Sequence, residues 1–277
     1  MPEGSKECKE KGRSAHTRAT MSPVKESAAR FAGKTRLSLA VADCTDFLAA
    51  LPDDSVDLII TDPAYSGMNN YLKLGRGRIV GEYKDAGEEG AKWFPEFIDN
   101  PPSFSRFLTQ CQRVLRNNRH VYIMFDSYSF ISLAPLVRNA LDVKNVIVWD
   151  KMHIGMGHYF RRRHELILFA SKGRRSIPSR GMADIWEVPR IVRPHYPTQK
   201  PVALFSRMIE CSAEPGFTVC DPFVGSGSSA VAALLAGCNF IGADISSRAV
   251  DIANDRCTEL LATGIDPLEK TVQLASA

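Results

Sequence analysis

The chain of 277 residues lacks several features that would place it in other classes of protein. No stretch reaches the roughly 18 consecutive apolar residues of a membrane span, and the polar N-terminus has no apolar secretory core. No segment has the full Gly-x-x-x-x-Gly-Lys-Ser/Thr pattern of a P-loop, because Ala28 stands where Gly33-Lys34-Thr35 would need the first glycine, and the glycine-rich segments do not match the dinucleotide fingerprint. The sequence therefore predicts a protein with no membrane partner and no pyrophosphate-binding loop of these two kinds.

The seven cysteines are not arranged for metal binding or redox exchange. Their number is odd, and no two have the close spacing of a zinc knuckle or a redox pair. Cys220 and Cys238 lie in apolar runs and are predicted to be small core residues. His153, His158 and His164 also lack the spacing of metal ligands. We therefore expect reduced thiols, a cytoplasmic location and no bound metal.

The formal net charge of +4 is unevenly distributed. Residues 1–36 carry nine Lys or Arg against four Glu, which gives +5 on this segment and −1 on the rest of the chain. The segment also lacks sustained apolar periodicity. It is predicted to be a basic, disordered tail, and both contact with phosphates and simple solvation remain open for it.

Beyond the tail, short apolar segments alternate with amphipathic ones. Seven strands are predicted, at residues 37–41, 56–60, 120–125, 143–149, 165–170, 217–220 and 239–243. Helices are predicted between them, at residues 45–51, 104–115, 129–141, 202–213, 228–236 and 246–262. Thr45 is a candidate cap for the first helix, and Pro101-Pro102 is expected to close a long irregular stretch. This alternation predicts an α/β fold with a mostly parallel sheet and helices on both faces.

The segment Asp221-Pro222-Phe223-Val224-Gly225-Ser226-Gly227 lies where a predicted strand gives way to a helix. Glycines there allow a ligand to approach the backbone, and a helix N-terminus favours negative charge. Asp244 ends the next predicted strand, where an acidic residue accepts hydrogen bonds from ribose hydroxyls in nucleotide-binding sheets. A tight turn explains Gly-Ser-Gly equally well. A bound ligand should carry ribose but need not carry a pyrophosphate.

A second segment, Asp62-Pro63-Ala64-Tyr65, also follows a buried strand. It is therefore expected at the carboxyl edge of the sheet, where open α/β sheets bind ligands. The Asp62 carboxylate and the Pro63 carbonyl are two acceptors for the two N–H bonds of an exocyclic amine. Tyr65 offers a ring that can stack on a nucleobase. Taken alone, Asp-Pro beside an aromatic residue is a common turn.

The two segments together resemble the signature of DNA amino-methyltransferases, which modify adenine N6 or cytosine N4. That family has an Asp/Ser-Pro-Pro-Tyr/Phe segment and a Phe-x-Gly-x-Gly segment. The sequence His195-Tyr196-Pro197-Thr198-Gln199-Lys200-Pro201 is similar to its His-Pro-Thr-Gln-Lys-Pro pattern, with Tyr196 inserted. Trp149-Asp150-Lys151 and His164-Glu165 are similar to its middle blocks.

The resemblance covers about residues 37–260 and has consequences for the fold. Because the Asp62 segment precedes the Asp221 segment, the motif order resembles the permuted β class. A Rossmann-like methyltransferase fold is implied, with a mostly parallel seven-stranded sheet, helices on both faces and circularly permuted motifs. The cofactor implied is S-adenosylmethionine, without a metal, and the partner implied is double-stranded DNA. A homodimer and a cognate restriction endonuclease are left open.

The resemblance also implies roles for individual residues. The residues implied in catalysis and base binding are Asp62, Pro63 and Tyr65. The residues implied in cofactor binding are Asp43, Cys44, Lys200, Asp221, Phe223, Gly225, Gly227 and Asp244. Among these, Asp43 and Cys44 would border the adenine ring of the cofactor. Lys200 would pair with its carboxylate, and Asp244 would accept its ribose hydroxyls.

The reaction implied is methyl transfer to N6 of an adenine flipped out of DNA. Hydrogen bonds accepted from the amine would increase the charge on nitrogen, and positioning would do much of the catalysis. Asp at position 62 is more typical of adenine enzymes, whereas Ser favours cytosine N4. Cytosine-N4 methylation, RNA methylation and a non-catalytic binding module are the alternatives. Ala64 replaces the family's second proline, which puts the rigidity of the loop in question.

Two stretches, at about residues 66–102 and 171–195, are predicted to recognise the DNA sequence. Both contain Arg and Lys side chains of the kind that contact phosphates and base edges, although such charges are also common on solvated surfaces. The predicted organisation is a tail at residues 1–36 followed by a methyltransferase domain at residues 37–277 that carries these two inserts.

Overall fold

The computed structural model of the protein describes residues 35–65, 97–155, 159–179, 181–196 and 198–270. Almost all of the predicted basic tail and most of the first predicted recognition stretch lie outside these residues. Within the described part of the chain, six cysteines are free and buried, and Cys220 and Cys238 are core residues as predicted. No helix among the described residues is long and apolar enough to cross a membrane.

In the described part of the chain, one sheet of eight strands forms the centre of the fold. Its strands are β1 (Leu37–Val41), β2 (Val56–Thr61), β3 (Leu115–Phe125), β4 (Asp142–Asp150), β5 (His164–Lys172), β6 (Ile185–Glu187), β7 (Thr218–Asp221) and β8 (Asn239–Asp244). Their spatial order is β1-β8-β7-β2-β3-β5-β4-β6. Only β5 runs against its neighbours β3 and β4, while the other pairs are parallel. The mostly parallel α/β architecture is confirmed.

The sheet has one more strand than predicted, because β6 adds to its edge. Ile185, Trp186 and Glu187 pair with Val148, Trp149 and Asp150 of β4. Only Trp186 of the three is buried, so the sequence shows no alternating pattern long enough to predict a strand. The indole N–H of Trp149 donates to the Val188 carbonyl at 2.7 Å and fastens the chain just after β6.

Six helices among the described residues cover the two faces of this sheet. They are α1 (Cys44–Ala50), α2 (Pro101–Val114), α3 (Ser127–Val137), α4 (Val202–Ser212), α5 (Ser228–Leu235) and α6 (Ser247–Thr263). Leu58 and Ile60 of β2 point into a core with α4, α5 and α6. Ile59 points the other way, into a core with α1, α2 and α3. Alternate side chains of a strand face opposite sides of the sheet, and helices cover both sides here, so every residue of β2 is buried.

Two predicted helix boundaries are wrong for the same reason, which is that a polar residue further upstream caps the helix. Asp43, rather than Thr45, caps α1, and its carboxylate accepts the Thr45 N–H at 2.8 Å. Pro101-Pro102 does not close the irregular stretch but opens α2, with Asn100 as its cap. Proline suits the first turn of a helix, where its missing N–H would have no partner within the helix.

The arrangement of β2 and β7 creates the place where a ligand can bind. These two strands are neighbours and run parallel. The chain continues from β2 towards α2 and β3, and from β7 towards α5 and β8, on opposite sides of the sheet. The connecting helices also lie on opposite faces. In open α/β sheets, this divergence leaves a crevice at the carboxyl ends of the two strands.

Candidate active site

A cavity of about 430 Å³ lies at the carboxyl ends of β2 and β7. Nine of the eleven residues predicted for the site line it, and they come from segments far apart in the sequence. They are Asp43, Cys44, Asp62, Pro63, Lys200, Asp221, Phe223, Gly225 and Asp244. Tyr65 and Gly227 do not line the cavity. The structure thus brings the two Asp-Pro segments together, as their places after buried strands predict.

Asp62 follows directly after β2, and its carboxylate forms an ion pair with the Lys200 ammonium. The side chain of Asp62 is about one-quarter exposed, at 26%. Burial raises the pKa of the Asp62 carboxyl, and the charge of Lys200 opposes that rise. A carboxylate accepts hydrogen bonds through both oxygens only when it is ionised, so the lysine favours the state needed to bind an amine.

Lys200 contacts two carboxylates in this structure. Besides Asp62, its Nζ lies 3.7 Å from Glu165 Oε2. Burial lowers the pKa of Lys200, but Asp62 and Glu165 outweigh it and raise the pKa above its usual range. The lysine therefore remains charged. Its pairing with a cofactor carboxylate stays a prediction, and its place in the cavity wall puts the charge where such a group could reach it.

Pro63 and Tyr65 form a tight turn at the end of β2. The Pro63 carbonyl accepts the Tyr65 N–H at 2.9 Å, and since a carbonyl has two lone pairs it can still accept a second donor. The Tyr65 ring is buried and stacks on Phe125, with a centroid distance of 5.4 Å. Its stacking on a nucleobase therefore remains a prediction that requires the ring to leave this packing. Its hydroxyl is buried with no hydrogen-bond partner among the described residues.

Ala64, which replaces the family's second proline, is held by a different contact. Its carbonyl accepts the Phe97 N–H at 3.0 Å. Phe97 is buried and packs edge-to-face on Phe107 and Phe223. This backbone bond restrains the turn where the side chain no longer does.

Asp221 organises the turn that follows β7. Its two oxygens accept the Phe223 N–H at 2.9 Å and the Ser229 hydroxyl at 2.6 Å. Neither donor carries a charge, and the carboxyl is almost fully buried. Burial raises the pKa of Asp221 to about 7, although the Ser229 hydroxyl opposes the rise. A bound cation would favour its ionised form.

The two glycines of this turn have separate functions. Gly225 has φ of +50°, and its N–H donates to Asp244 Oδ2 at 3.0 Å. Gly227 has φ of +82° and caps α5. A Cβ added to Gly227 would lie 2.9 Å from the Ala253 Cβ, so this glycine permits close packing of α5 against α6. Among the predicted cofactor residues, Gly227 thus acts through the shape of the turn.

Three further residues line the side of the cavity nearest β1 and β8. Asp244 accepts the Ser246 N–H at 2.9 Å, and burial raises its pKa. Asp43 both caps α1 and lines the cavity. Burial, reinforced by Asp43, raises the pKa of the buried Cys44 thiol to about 12. Cys44 is therefore neutral at physiological pH, which suits contact with a ligand rather than nucleophilic attack.

Sequence reasoning missed a buried ion pair that stabilises the turn containing Gly225 and Gly227, called the glycine turn below. Arg256 is almost fully buried, and its guanidinium binds both oxygens of the buried Asp266, at 2.8 and 2.6 Å. The same guanidinium donates to the Ser226 carbonyl at 3.0 Å and to the Ser228 hydroxyl at 2.9 Å. One signal was present in the sequence. Arg256 lies on the apolar stripe of α6, between Ala253 and Leu260, where a charge needs a buried partner.

Glu269 extends this ion pair to the other side of the cavity. It accepts from the Arg256 guanidinium at 3.2 Å and from the Val202 N–H at 3.2 Å. Val202 is the first residue of α4, and the preceding Pro201 supplies no side-chain cap. A carboxylate near a helix N-terminus is favourable, so Glu269 caps α4 from a distant segment. It thereby links the glycine turn to the backbone that carries Lys200.

Comparison with known proteins agrees with this geometry. The sequence model of a DNA methylase family of N6 and N4 enzymes matches residues 56–255. The type II methyltransferase M2.MboI of Moraxella bovis is 25% identical over 244 residues, which cover 79% of this chain and 86% of the relative.

Solved structures share the fold. The complex of M1.HpyAVI with SAM superposes with a TM-score of 0.55 at 21% identity and covers 79% of this chain and 99% of the other. The PvuII DNA methyltransferase, which is cytosine-N4-specific, gives a TM-score of 0.55 at 13% identity, covering 88% and 96%.

Proposed function

Since the chain belongs to the N6/N4 family of DNA methylases, we propose that it transfers a methyl group from S-adenosylmethionine to N6 of an adenine flipped out of double-stranded DNA. The observation that carries the proposal is the meeting of Asp62-Pro63 and residues 221–226 in one cavity, at adjacent parallel strands. One segment offers acceptors for an amine. The other offers a glycine turn that begins at Asp221 and whose Gly225 N–H donates to Asp244.

The residues of the cavity fit S-adenosylmethionine. Its volume of about 430 Å³ is in the range of small-molecule sites. Asp244 lies at the end of β8, the position suited to ribose hydroxyls. Asp221 and Asp62 supply negative charge for a cationic ligand, and Lys200 supplies a cation for its carboxylate. When bound, this cofactor supplies an electrophilic methyl group.

Asp62 and the Pro63 carbonyl are assigned to the target amine. The ionised Asp62 accepts one N–H, and the free lone pair of the Pro63 carbonyl accepts the other. Both bonds draw electron density towards the amine nitrogen and hold it in the orientation for in-line attack. This is positioning and electrostatic catalysis, and it needs no covalent enzyme intermediate.

Adenine is the proposed base because Asp, rather than Ser, occupies position 62. Cytosine N4 is the second candidate, because the matching family contains both N6 and N4 enzymes and both amines present two N–H bonds to the same acceptors.

DNA contacts are proposed at the carboxyl edge of the sheet, where the cavity opens. The two parts of the second predicted recognition stretch lie at different edges of the sheet. Residues 173–176 follow the antiparallel β5 and so lie at the opposite edge, where Arg175 pairs with Glu214 at 2.8 Å. Residues 188–195 follow β6 and lie at the cavity edge, with Arg193 exposed. Within this stretch, the segment after β6 is proposed to contact DNA.

The test supplies the protein with methyl-labelled S-adenosylmethionine and, in separate reactions, DNA or RNA of varied sequence, digests the nucleic acid to nucleosides and identifies labelled products by mass spectrometry. N6-methyladenine is expected, and the Asp62→Ala variant serves as the control without product. N4-methylcytosine alone would overturn the choice of base. Label in RNA but in no DNA would overturn the choice of nucleic acid.

A further inference from the structure

Four charged side chains form a continuous row that begins in the cavity wall and continues beyond it. Lys151 Nζ lies 3.2 Å from Glu165 Oε1, Glu165 Oε2 lies 3.7 Å from Lys200 Nζ, and Lys200 pairs with Asp62. All four side chains are less than 30% exposed. The charges alternate, so each carboxylate of the row has a lysine beside it. Lys151 and Glu165 do not line the cavity, and the methyl transfer described above assigns them no function.

We propose that Glu165 is a positioning residue that holds Lys200 between Asp62 and the cofactor. The Asp62 carboxylate and the carboxylate of the cofactor then compete for the Lys200 ammonium. The inference rests on the proposed function, since it takes Asp62 as the acceptor for the base and S-adenosylmethionine as the methyl donor. It adds an energetic coupling between the two halves of the site, with Glu165 as the residue that sets it.

The backbone around Lys200 indicates that only its side chain needs to move. Pro201 follows it, and the Val202 N–H is bound by Glu269. The Gln199 N–H donates to the Tyr196 carbonyl at 3.1 Å. A lysine side chain on this fixed backbone has a flexible stem and three N–H donors, so it can exchange one acceptor for another.

Glu165 is placed to limit how far the Lys200 ammonium moves when it exchanges one acceptor for another. Burial raises the pKa of Glu165, but Lys200 and Lys151 together outweigh it and lower the pKa, so the carboxylate is ionised. It attracts the Lys200 ammonium in competition with Asp62. With Glu165 neutral, the one remaining anionic partner recorded for Lys200 among the described residues is Asp62. The Lys200 ammonium would then pair more fully with Asp62 and would be less available to the carboxylate of the cofactor.

Competition for Lys200 has a reciprocal consequence. A cofactor carboxylate that accepts one of the Lys200 N–H donors leaves an Asp62 oxygen freer to accept the target amine, while the nearby ammonium still favours the ionised carboxylate. By the reciprocity of binding energies, removal of the Asp62 charge must then favour the cofactor carboxylate. The coupling acts only on ligands that carry that carboxylate, which gives a specific probe.

The test is calorimetric titration of two ligands into the full-length protein. S-Adenosylhomocysteine has the carboxylate, whereas 5′-methylthioadenosine lacks it. The Asp62→Asn variant should bind S-adenosylhomocysteine about five- to tenfold more tightly than wild type, a change typical of site-to-site coupling, with 5′-methylthioadenosine unchanged. The Glu165→Gln variant should bind the first ligand several-fold more weakly and the second equally well.

Kinetics supply a readout that a purely structural role would not change. Glu165→Gln should raise KM for S-adenosylmethionine and lower kcat, while Glu165→Asp recovers part of both. Glu214→Gln, a charge change at the opposite edge of the sheet, is the matched control and should change neither. Melting curves of each variant show whether it is folded.

Equal affinity of wild type and Asp62→Asn for S-adenosylhomocysteine would overturn the inference, as would unaltered kcat and KM in Glu165→Gln. These results are distinct from failure of the proposed function. Absence of methyl transfer by the wild-type protein would contradict the function itself. Loss of transfer in Asp62→Asn with unchanged ligand affinity would leave the function standing and remove the coupling.

Discussion

The two Asp-Pro segments occupy equivalent places but treat their carboxylates in opposite ways. Each aspartate comes at the end of a buried strand, and the two strands are neighbours. Asp62 is paired with a lysine and remains partly exposed. Asp221 is almost fully buried, and within the described part of the chain its carboxylate accepts hydrogen bonds from a hydroxyl and a backbone N–H. In the first environment, the Lys200 charge favours the ionised carboxylate in the absence of ligand, whereas in the second the carboxyl maintains the shape of a turn.

This difference separates a base side of the site from a cofactor side. A carboxylate that must accept hydrogen bonds from an incoming amine needs its charge before the amine arrives. A carboxylate that faces a cationic cofactor can gain its charge when the cation binds. Four variants test whether the two sides are as different as their surroundings indicate.

The largest effect is expected for Asp62→Ala, on the base side. Loss of a charged acceptor for the amine should lower the methyl-transfer rate by about 1,000-fold, the upper range for removal of one preorganised hydrogen-bonding group. Binding of S-adenosylhomocysteine should survive, because the glycine turn is untouched. Transfer is measured with methyl-labelled cofactor. A variant that methylates DNA at the wild-type rate would remove Asp62 from the active site.

Arg256→Met should have the next largest effect, on the stability of the cofactor side. The change leaves the buried Asp266 without its cation, which costs about 3–5 kcal/mol of unfolding free energy. Urea denaturation measures it. Glu259→Met, at an exposed position of the same helix, is the control and should change the unfolding free energy by less than about 0.5 kcal/mol. Equal effects of the two changes would mean that the ion pair does not stabilise the glycine turn.

Asp221→Asn should change the pH dependence of stability. The pKa of Asp221 is raised to about 7 in the folded protein, so between about pH 4 and 7 the folded state binds more protons than the unfolded state. The wild-type protein should therefore lose stability relative to the variant as the pH rises through this window, by about 2 kcal/mol between pH 5 and 7. Melting temperatures of the ligand-free proteins provide the comparison, and parallel curves would contradict the burial argument.

The smallest effect is expected from a pair of glycine variants. Gly227→Ala places a Cβ 2.9 Å from the Ala253 Cβ at φ of +82°, whereas Gly216→Ala at φ of +88° meets no atom within 4 Å. Both changes carry the backbone cost of a left-handed conformation, about 1 kcal/mol. The excess loss in Gly227→Ala, expected to be about 1–2 kcal/mol, measures the clash alone. Equal losses would show that α6 moves aside freely.

Much of the fold and the meeting of the two segments could be predicted from the sequence. Strands such as Val56–Thr61 are apolar runs that end at an acidic or turn residue. Carboxyl ends of parallel strands lie at one edge, so residues that follow two such strands are brought near each other. Local capping was less certain, because Asp43 and Thr45 are both good caps, and only the backbone geometry distinguishes them.

The partners of buried charges could not be predicted, because they depend on packing between distant segments. Asp62 and Lys200 are 138 positions apart. No local pattern indicates that Lys200 reaches Asp62 in the absence of a ligand. Tyr65 shows the same limit, since the sequence placed its ring towards a base and the structure stacks it on Phe125. The three-residue strand β6 is too short for any periodicity to be visible.

The capping of α4 by Glu269 bears on where the folding unit ends. The family match stops at residue 255, one position before Arg256 and well before Asp266 and Glu269. A gene fragment cut at that boundary would keep every signature motif and yet expose the α4 terminus and the underside of the glycine turn. The last short segment of the described chain therefore stabilises both the glycine turn and the start of α4. Any shortened or fused version of the protein should retain it through residue 270.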